Sequence, residues 1–250
     1  MRILRLFFLL LSSVLTAFMF PSDFLSQQKK FDRVKAALDE KARMIEILLW
    51  DNGLETGDLN ILIMAYKSED ELEIYVKKKS AIVYKKLISY NVCAKSGQLG
   101  PKRRQGDTQV PEGFYHINRF NPTSNFYLSL GIDYPNQSDK KKSNAKYLGG
   151  DIFIHGDCVT IGCLPMTDDK IKEIYLYAVY AKNNGQNNIP VYIFPFKMTD
   201  PNVAKYIEDY KKNSELIYLW SNLKTGYDEF QKNKMELEVG VDSKGNYSFD

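Results

Sequence analysis

One short segment holds residues whose types and spacing suit covalent chemistry. It reads Ile152-Phe153-Ile154-His155-Gly156-Asp157-Cys158-Val159-Thr160-Ile161-Gly162-Cys163-Leu164-Pro165-Met166. An apolar run leads into a histidine, then a loop with two glycines, then a cysteine, then the acidic start of a helix at Thr167-Asp168-Asp169. A thiol is a weak nucleophile until it loses its proton. A neighbouring imidazole can take that proton or hold the thiolate as an ion pair. Gly162 lets the backbone approach a substrate closely, and the peptide N–H groups around Cys163 could stabilise an oxyanion. The layout is that of cysteine acyl transfer. A backbone carbonyl or Asp157 could orient His155.

The other polar residues are weighed against that pair. Cys158 lies three residues from His155 but lacks the preceding glycine and the following helix start. Cys93 reads as buried structure on a strand. In an oxidising compartment Cys93 and Cys158 could pair and leave Cys163 free. His116, beside the Pro111–Gly113 turn, reads as a surface or internally satisfied histidine or as a substrate contact. Lys102, Arg103 and Arg104 are adjacent cations in a Gly/Pro-rich loop. They read either as a solvated charge run or as a clamp for substrate carboxylates, which Arg can hold bidentately. The chain has two histidines and three cysteines, too few for a zinc-finger array or a disulfide scaffold, and no metal or cofactor is expected. C-x-x-C is absent, which counts against a thiol–disulfide enzyme.

Hydrophobic periodicity supplies the elements that must position this segment. An amphipathic helix is expected over 28–49. A β-rich stretch follows: a central strand at Leu59–Tyr66, a half-exposed strand in which Leu72, Ile74 and Val76 alternate with Glu73, Tyr75 and Lys77, and a third within 81–92. Lys95–Gly113 reads as a long loop, and such loops are often functional. Short strands are expected at Gly113–Phe120, Tyr127–Ile132 and Asp151–Ile154, with a solvated loop at Asn136–Asn144. A helix from Thr167 to Gly185 and a strand at Val191–Phe196 follow. Helices are expected at Asp200–Lys211, Glu215–Leu223 and Tyr227–Lys234, then a hairpin around Ser243-Lys244-Gly245. The fold class is α+β and β-rich, with helical extensions at both ends.

Lys and Arg number 34 against 31 Asp and Glu, a net charge of +3. The cations are spread along the chain, so nucleic acid is not expected as a partner. At the N-terminus Arg2 and Arg5 precede an apolar run from Leu6 to Phe20. That run has the length of a signal-peptide core and is short for a membrane span. Export is expected, with 1–21 either cleaved or retained as an anchor, the chain's one route to a membrane.

His155-Gly156 through Gly162-Cys163 resembles the signature of the YkuD-type L,D-transpeptidases, in which a histidine on one strand serves the cysteine of an S-x-G-C segment. The resemblance is greater to the YafK-like branch. It extends to Gly100–Asp107, Thr108–Tyr115, Phe194–Asp200 and Trp220–Tyr227, and so covers roughly 30–249. It implies Cys163 as nucleophile, His155 as its activator and Gly162 in the oxyanion segment. It implies the catalytic fold of that family, with mixed sheets and one main helix, over 58–198, and the helical segment at 22–57 and helical extension at 199–250 read from periodicity flank it. Most members carry a second histidine where this chain has Ile161, a substitution the YafK-like branch shares. The implied function is an exported enzyme of peptidoglycan stem peptides, working through a thioester. The thioester would pass to an amine, or to water with release of a diaminopimelate-linked protein. The alternative is a non-catalytic cell-wall binding or scaffold protein on the same fold.

Overall fold

The computed structural model describes residues 23–249; the apolar run with its arginines lies outside them. Eight strands form one mixed sheet: β1 (Asn60–Tyr66), β2 (Glu71–Lys77), β3 (Lys85–Asn91), β4 (Gly113–Asn121), β5 (Ser129–Ile132), β6 (Phe153–His155), β7 (Leu164–Pro165) and β8 (Pro190–Phe194). Their order is β3-β2-β1-β8-β4-β5-β6-β7. The β1–β8 and β6–β7 pairs are parallel. The helices are α1 (Phe24–Gln28), α2 (Asp32–Asp51), α3 (Gln137–Lys142), α4 (Asp168–Asn183), α5 (Asp200–Asp209) and α6 (Ser214–Asn233), and a hairpin of β9 (Val239–Val241) and β10 (Tyr247–Phe249) ends the described chain. The fold is α+β, one mixed sheet with helices toward both ends of the described chain. Among the described residues no helix is long and apolar enough to cross a membrane.

Both faces of the central strands are covered. Ile61, Ile63 and Ala65 of β1 enter a core shared with α2 and α4, while Leu62, Met64 and Tyr66 enter an aromatic core with Phe194, Trp220, Leu223 and Phe230. A strand buried on both sides reads as a continuous apolar run, as 60–66 does. The same second layer corrects the reading of β2 as half-exposed. Glu73 and Tyr75 are buried, because α6 lies over the face that alternation assigns to solvent. Glu73 is satisfied there by the Tyr75 hydroxyl at 2.8 Å and the Lys86 ammonium at 3.2 Å.

Three further expectations are revised. The N-terminal helix is divided: α1 ends at Gln28, Phe31 is extended, and α2 begins at Asp32. The polar run 136–144 holds α3, whose N-cap Asn136 and Asp139 form a reciprocal capping box. Asp139 is buried. The pieces expected at 215–223 and 227–234 are one helix. Gly226 does not break it; a Cβ there would come within 2.5 Å of the Phe249 ring and 2.7 Å of Phe114. The glycine admits the terminal hairpin against α6.

Candidate active site

The site is built where β6 ends and β7 begins. Ile152 and Ile154 point into the core, so the pleat turns Phe153 and His155 to the opposite face. The parallel register pairs Ile154 with Leu164 and His155 with Pro165, which sets Cys163 beside Phe153, one residue before β7. The register thus sets His155 and Cys163, eight positions apart in sequence, on the same face of adjacent strands, while residues 156–162 form the loop between them.

His155 is 1% exposed. Its Nδ1 lies 2.5 Å from the Gly156 carbonyl oxygen. A carbonyl can only accept, so Nδ1 carries the proton and Nε2 holds the free lone pair. This settles the orienting group as a backbone carbonyl; Asp157 acts on the imidazole only through its charge. The Phe126 ring covers the imidazole, with centroids 4.7 Å apart. Burial lowers the His155 pKa below its ordinary 6.5, partly opposed by the Gly156 hydrogen bond.

Cys163 is half-buried and is a free thiol. Its Sγ donates to the Asp151 carbonyl at 3.7 Å. Burial raises its pKa above the ordinary value; the Asp151 charge adds to this, while Lys102 and a contact to the Phe153 backbone oppose it. A raised thiol and a lowered imidazole leave both groups neutral near pH 7.

Gly162 has φ +136°, and a Cβ there would lie 3.1 Å from the Gln109 carbonyl. Only glycine fits without displacing that strand of the 95–113 loop. The amides expected to meet an oxyanion are engaged: Thr160 Oγ1 accepts from the Gly162 N–H at 3.2 Å and the Cys163 N–H at 2.8 Å, and donates to the Cys163 carbonyl at 2.9 Å.

A cavity of about 230 Å³ opens beside Cys163, with walls from Tyr66, Val92, Ser96, Leu99, Val110 and Leu164. Behind it the buried Lys67 ammonium binds Glu112 at 2.9 Å, the Gly100 carbonyl at 2.7 Å and the Val110 carbonyl at 2.9 Å. The Glu112 carboxylate accepts from the Gly100 N–H at 2.7 Å and Trp220 Nε1 at 2.9 Å. This network closes the base of the long loop.

Cys93 and Cys158 form a disulfide, the arrangement that leaves Cys163 free. Cys93 is therefore not a simple buried thiol, and Cys158 is not available as a nucleophile. The cations of the long loop are mostly internal. Lys102 is 4% exposed and binds Asp107 at 2.6 Å. Arg103 binds the buried Asp139 at 3.1 Å. Arg104 is exposed. Neither a solvated run nor a carboxylate clamp describes Lys102 and Arg103. Their partners, at 107 and 139, are brought in by the turn at 104–107 and by α3. His116 lies in a different hollow and faces Asp133 at 3.6 Å, which raises its pKa. Among the described residues no group of three or more His, Cys, Asp or Glu could hold a metal ion.

Sequence reasoning missed Thr160, Asp151 and Arg119. Thr160 stands in the position of the serine of S-x-G-C, which is a signal that could have found it. The other two depend on sheet register, for which a single strand carries no sign.

A model of the YkuD family, the L,D-transpeptidase catalytic domain, matches residues 60–193. Among curated proteins the chain is 40% identical over 183 residues to the Escherichia coli K12 protein named "Putative L,D-transpeptidase YafK", covering 72% of this chain and 70% of that one, and it matches the protein of that name from strain O157:H7 equally. Among solved structures, the helical cell shape determining protein Pgp2 from Campylobacter jejuni aligns over 73% of each chain, at 17% identity and a TM-score of 0.43. Bd1075 of Bdellovibrio bacteriovorus aligns over 74% of this chain and 75% of its own, at 16% identity and a TM-score of 0.39. The family match over the segment that carries Cys163 and His155, together with the 40% identity, places this chain in the YkuD family of L,D-transpeptidase catalytic domains.

Proposed function

We propose that the chain is an exported cysteine enzyme that acylates itself on peptidoglycan stem peptides. The observation that carries this reading is the tautomer of His155: Nδ1–H is bound to the Gly156 carbonyl, and the basic Nε2 is left to serve Cys163. In the reaction, Nε2 takes the thiol proton as Sγ attacks the carbonyl carbon of an L-centred residue, forming the C–S bond and a tetrahedral oxyanion. The oxyanion reforms the carbonyl, the C–N bond breaks, and the imidazolium gives its proton to the leaving amine. The resulting thioester passes to an amine, which is transpeptidation, or to water, which is hydrolysis. Both use the same intermediate. For the Gly162 and Cys163 amides to meet the oxyanion, Thr160 Oγ1 must yield them.

Export is supported by the apolar N-terminal run and by the disulfide, since such bonds persist in oxidising compartments. The substrate is proposed on family membership, as is a linked protein as leaving group. Purified peptidoglycan incubated with the intact chain, followed by mass analysis of the muropeptides, tests the reading with Cys163→Ala as control. New cross-links or released stem products that vanish in Cys163→Ala are expected. Binding to peptidoglycan with an unchanged muropeptide profile would establish the scaffold alternative instead.

A further inference from the structure

The outer face of β4, β5 and β6, continued to the residue before β7, carries a single row of residues. Gly131 pairs with Arg119 on one side and with Phe153 on the other, and the next position, across from Phe153, is Cys163. Arg119 reaches this face because the β4–β5 pairing slips between Ile117 and Arg119. Ile117 faces the core opposite Ile132, and without the bulge Arg119 would follow it inward. Gly131 keeps the middle of the row low; a Cβ there would lie 3.1 Å from Arg119 Cβ and 3.2 Å from the Phe153 ring. The Arg119 side chain crosses this gap and lays its guanidinium over Phe153, 4.7 Å from the ring centroid. That places the cation above the residue neighbouring the nucleophile, where strands are about 4.8 Å apart.

Arg119 is held by the Asp151 carboxylate at 2.8 Å, and the two side chains are 51% and 78% exposed. An ion pair in water is readily exchanged. The ring contact steadies the guanidinium, whose fork of N–H groups can grip a carboxylate with two parallel hydrogen bonds. Of the other cations nearby, Lys67, Lys102 and Arg103 serve internal acceptors, and Lys95, which lines the cavity, pairs with Asp70 at 2.6 Å and lacks the planar fork of a guanidinium.

We propose that Arg119 is the specificity-determining residue for the acylating peptide, exchanging Asp151 for a peptide carboxylate that lies within one residue of the scissile carbonyl. This rests on the reading of Cys163 as a peptide-acylating nucleophile and adds to it a requirement for a free acid at a set place.

The test uses the full chain carrying Cys163→Ala, so that binding is read without turnover. A synthetic stem tetrapeptide with a free C-terminal carboxylate and its C-terminal amide are each titrated calorimetrically. The acid is expected to bind at least tenfold more tightly than the amide. Arg119→Gln should bring that ratio close to one by weakening the acid alone, and Arg119→Lys should restore part of it. A purely structural role for the Arg119–Asp151 pair would shift both peptides alike. An acid-to-amide ratio near one with Arg119 intact, a ratio unchanged by Arg119→Gln, or no binding of either peptide overturns the proposal. Arg119-dependent preference for the acid, with no acyl-enzyme detected by mass on the intact chain, would retain Arg119 as the carboxylate site and overturn the catalytic reading instead.

Discussion

At the residue scale, the proposed chemistry depends on two opposed pKa shifts. Because His155 is lowered and Cys163 raised, the productive resting form has a neutral imidazole and a neutral thiol. Protonating His155 removes the base, so kcat/KM should fall on the acid side with a midpoint below the ordinary histidine value of 6.5. A thiolate–imidazolium pair would give a different profile, in which alkylation of Cys163 by iodoacetamide is already fast at pH 6. The neutral pair predicts slow alkylation there that accelerates only on the alkaline side. His155→Gln should reduce turnover by roughly 10²- to 10⁴-fold, the usual contribution of a positioned base, with the melting midpoint close to that of the parent.

At the element scale, the long loop between β3 and β4 is a structural part of the molecule. Lys102 and Arg103 each neutralise a buried or nearly buried carboxylate. Removing one partner of such a pair costs about 3–5 kcal/mol, so Lys102→Met and Arg103→Gln should each lower the thermal midpoint by several degrees. Arg104→Gln should leave it within about a degree, as surface changes do. Calorimetry of the three single variants separates this picture from a solvated charge run, in which all three would melt alike. The close approach of the hairpin to α6 makes a second prediction. Gly226→Ala inserts a methyl group where Phe249 and Phe114 stand. Overpacking of this kind costs about 1–3 kcal/mol, although alanine is the better helix former; a stabilised variant would show that the hairpin does not seat there.

At the scale of the whole molecule, the disulfide joins segments 65 residues apart in sequence. One end lies beside the segment that walls the cavity, and the other lies in the loop between His155 and Cys163. Closing a loop of that length stabilises the chain by about 4 kcal/mol in the chain-entropy account. The Cys93→Ser/Cys158→Ser double variant should therefore melt roughly 10 °C lower than the parent. The parent should fall to the same midpoint when scanned with a dithiol reductant. A double variant that melts with the parent under oxidising conditions would show that the bridge does not form.

The sequence alone determined what can be read from neighbours in the chain. Cys163 and His155 stand within nine residues of each other, with the glycine that the turn needs between them, and β1 announces burial on both faces by an unbroken apolar run. Tertiary structure decided everything that depends on a distant partner. Glu73 alternates as a solvent-facing residue does, and becomes buried because α6 arrives from 140 or more positions downstream. Lys102 and Arg103 look free until Asp107 and Asp139 fold onto them. Arg119 has the inward phase of Ile117 until one extra residue in the pairing turns it out toward Cys163. Local periodicity reports the face a side chain takes on its own element, whereas burial, charge pairing and register are set by what packs against that face from elsewhere in the chain.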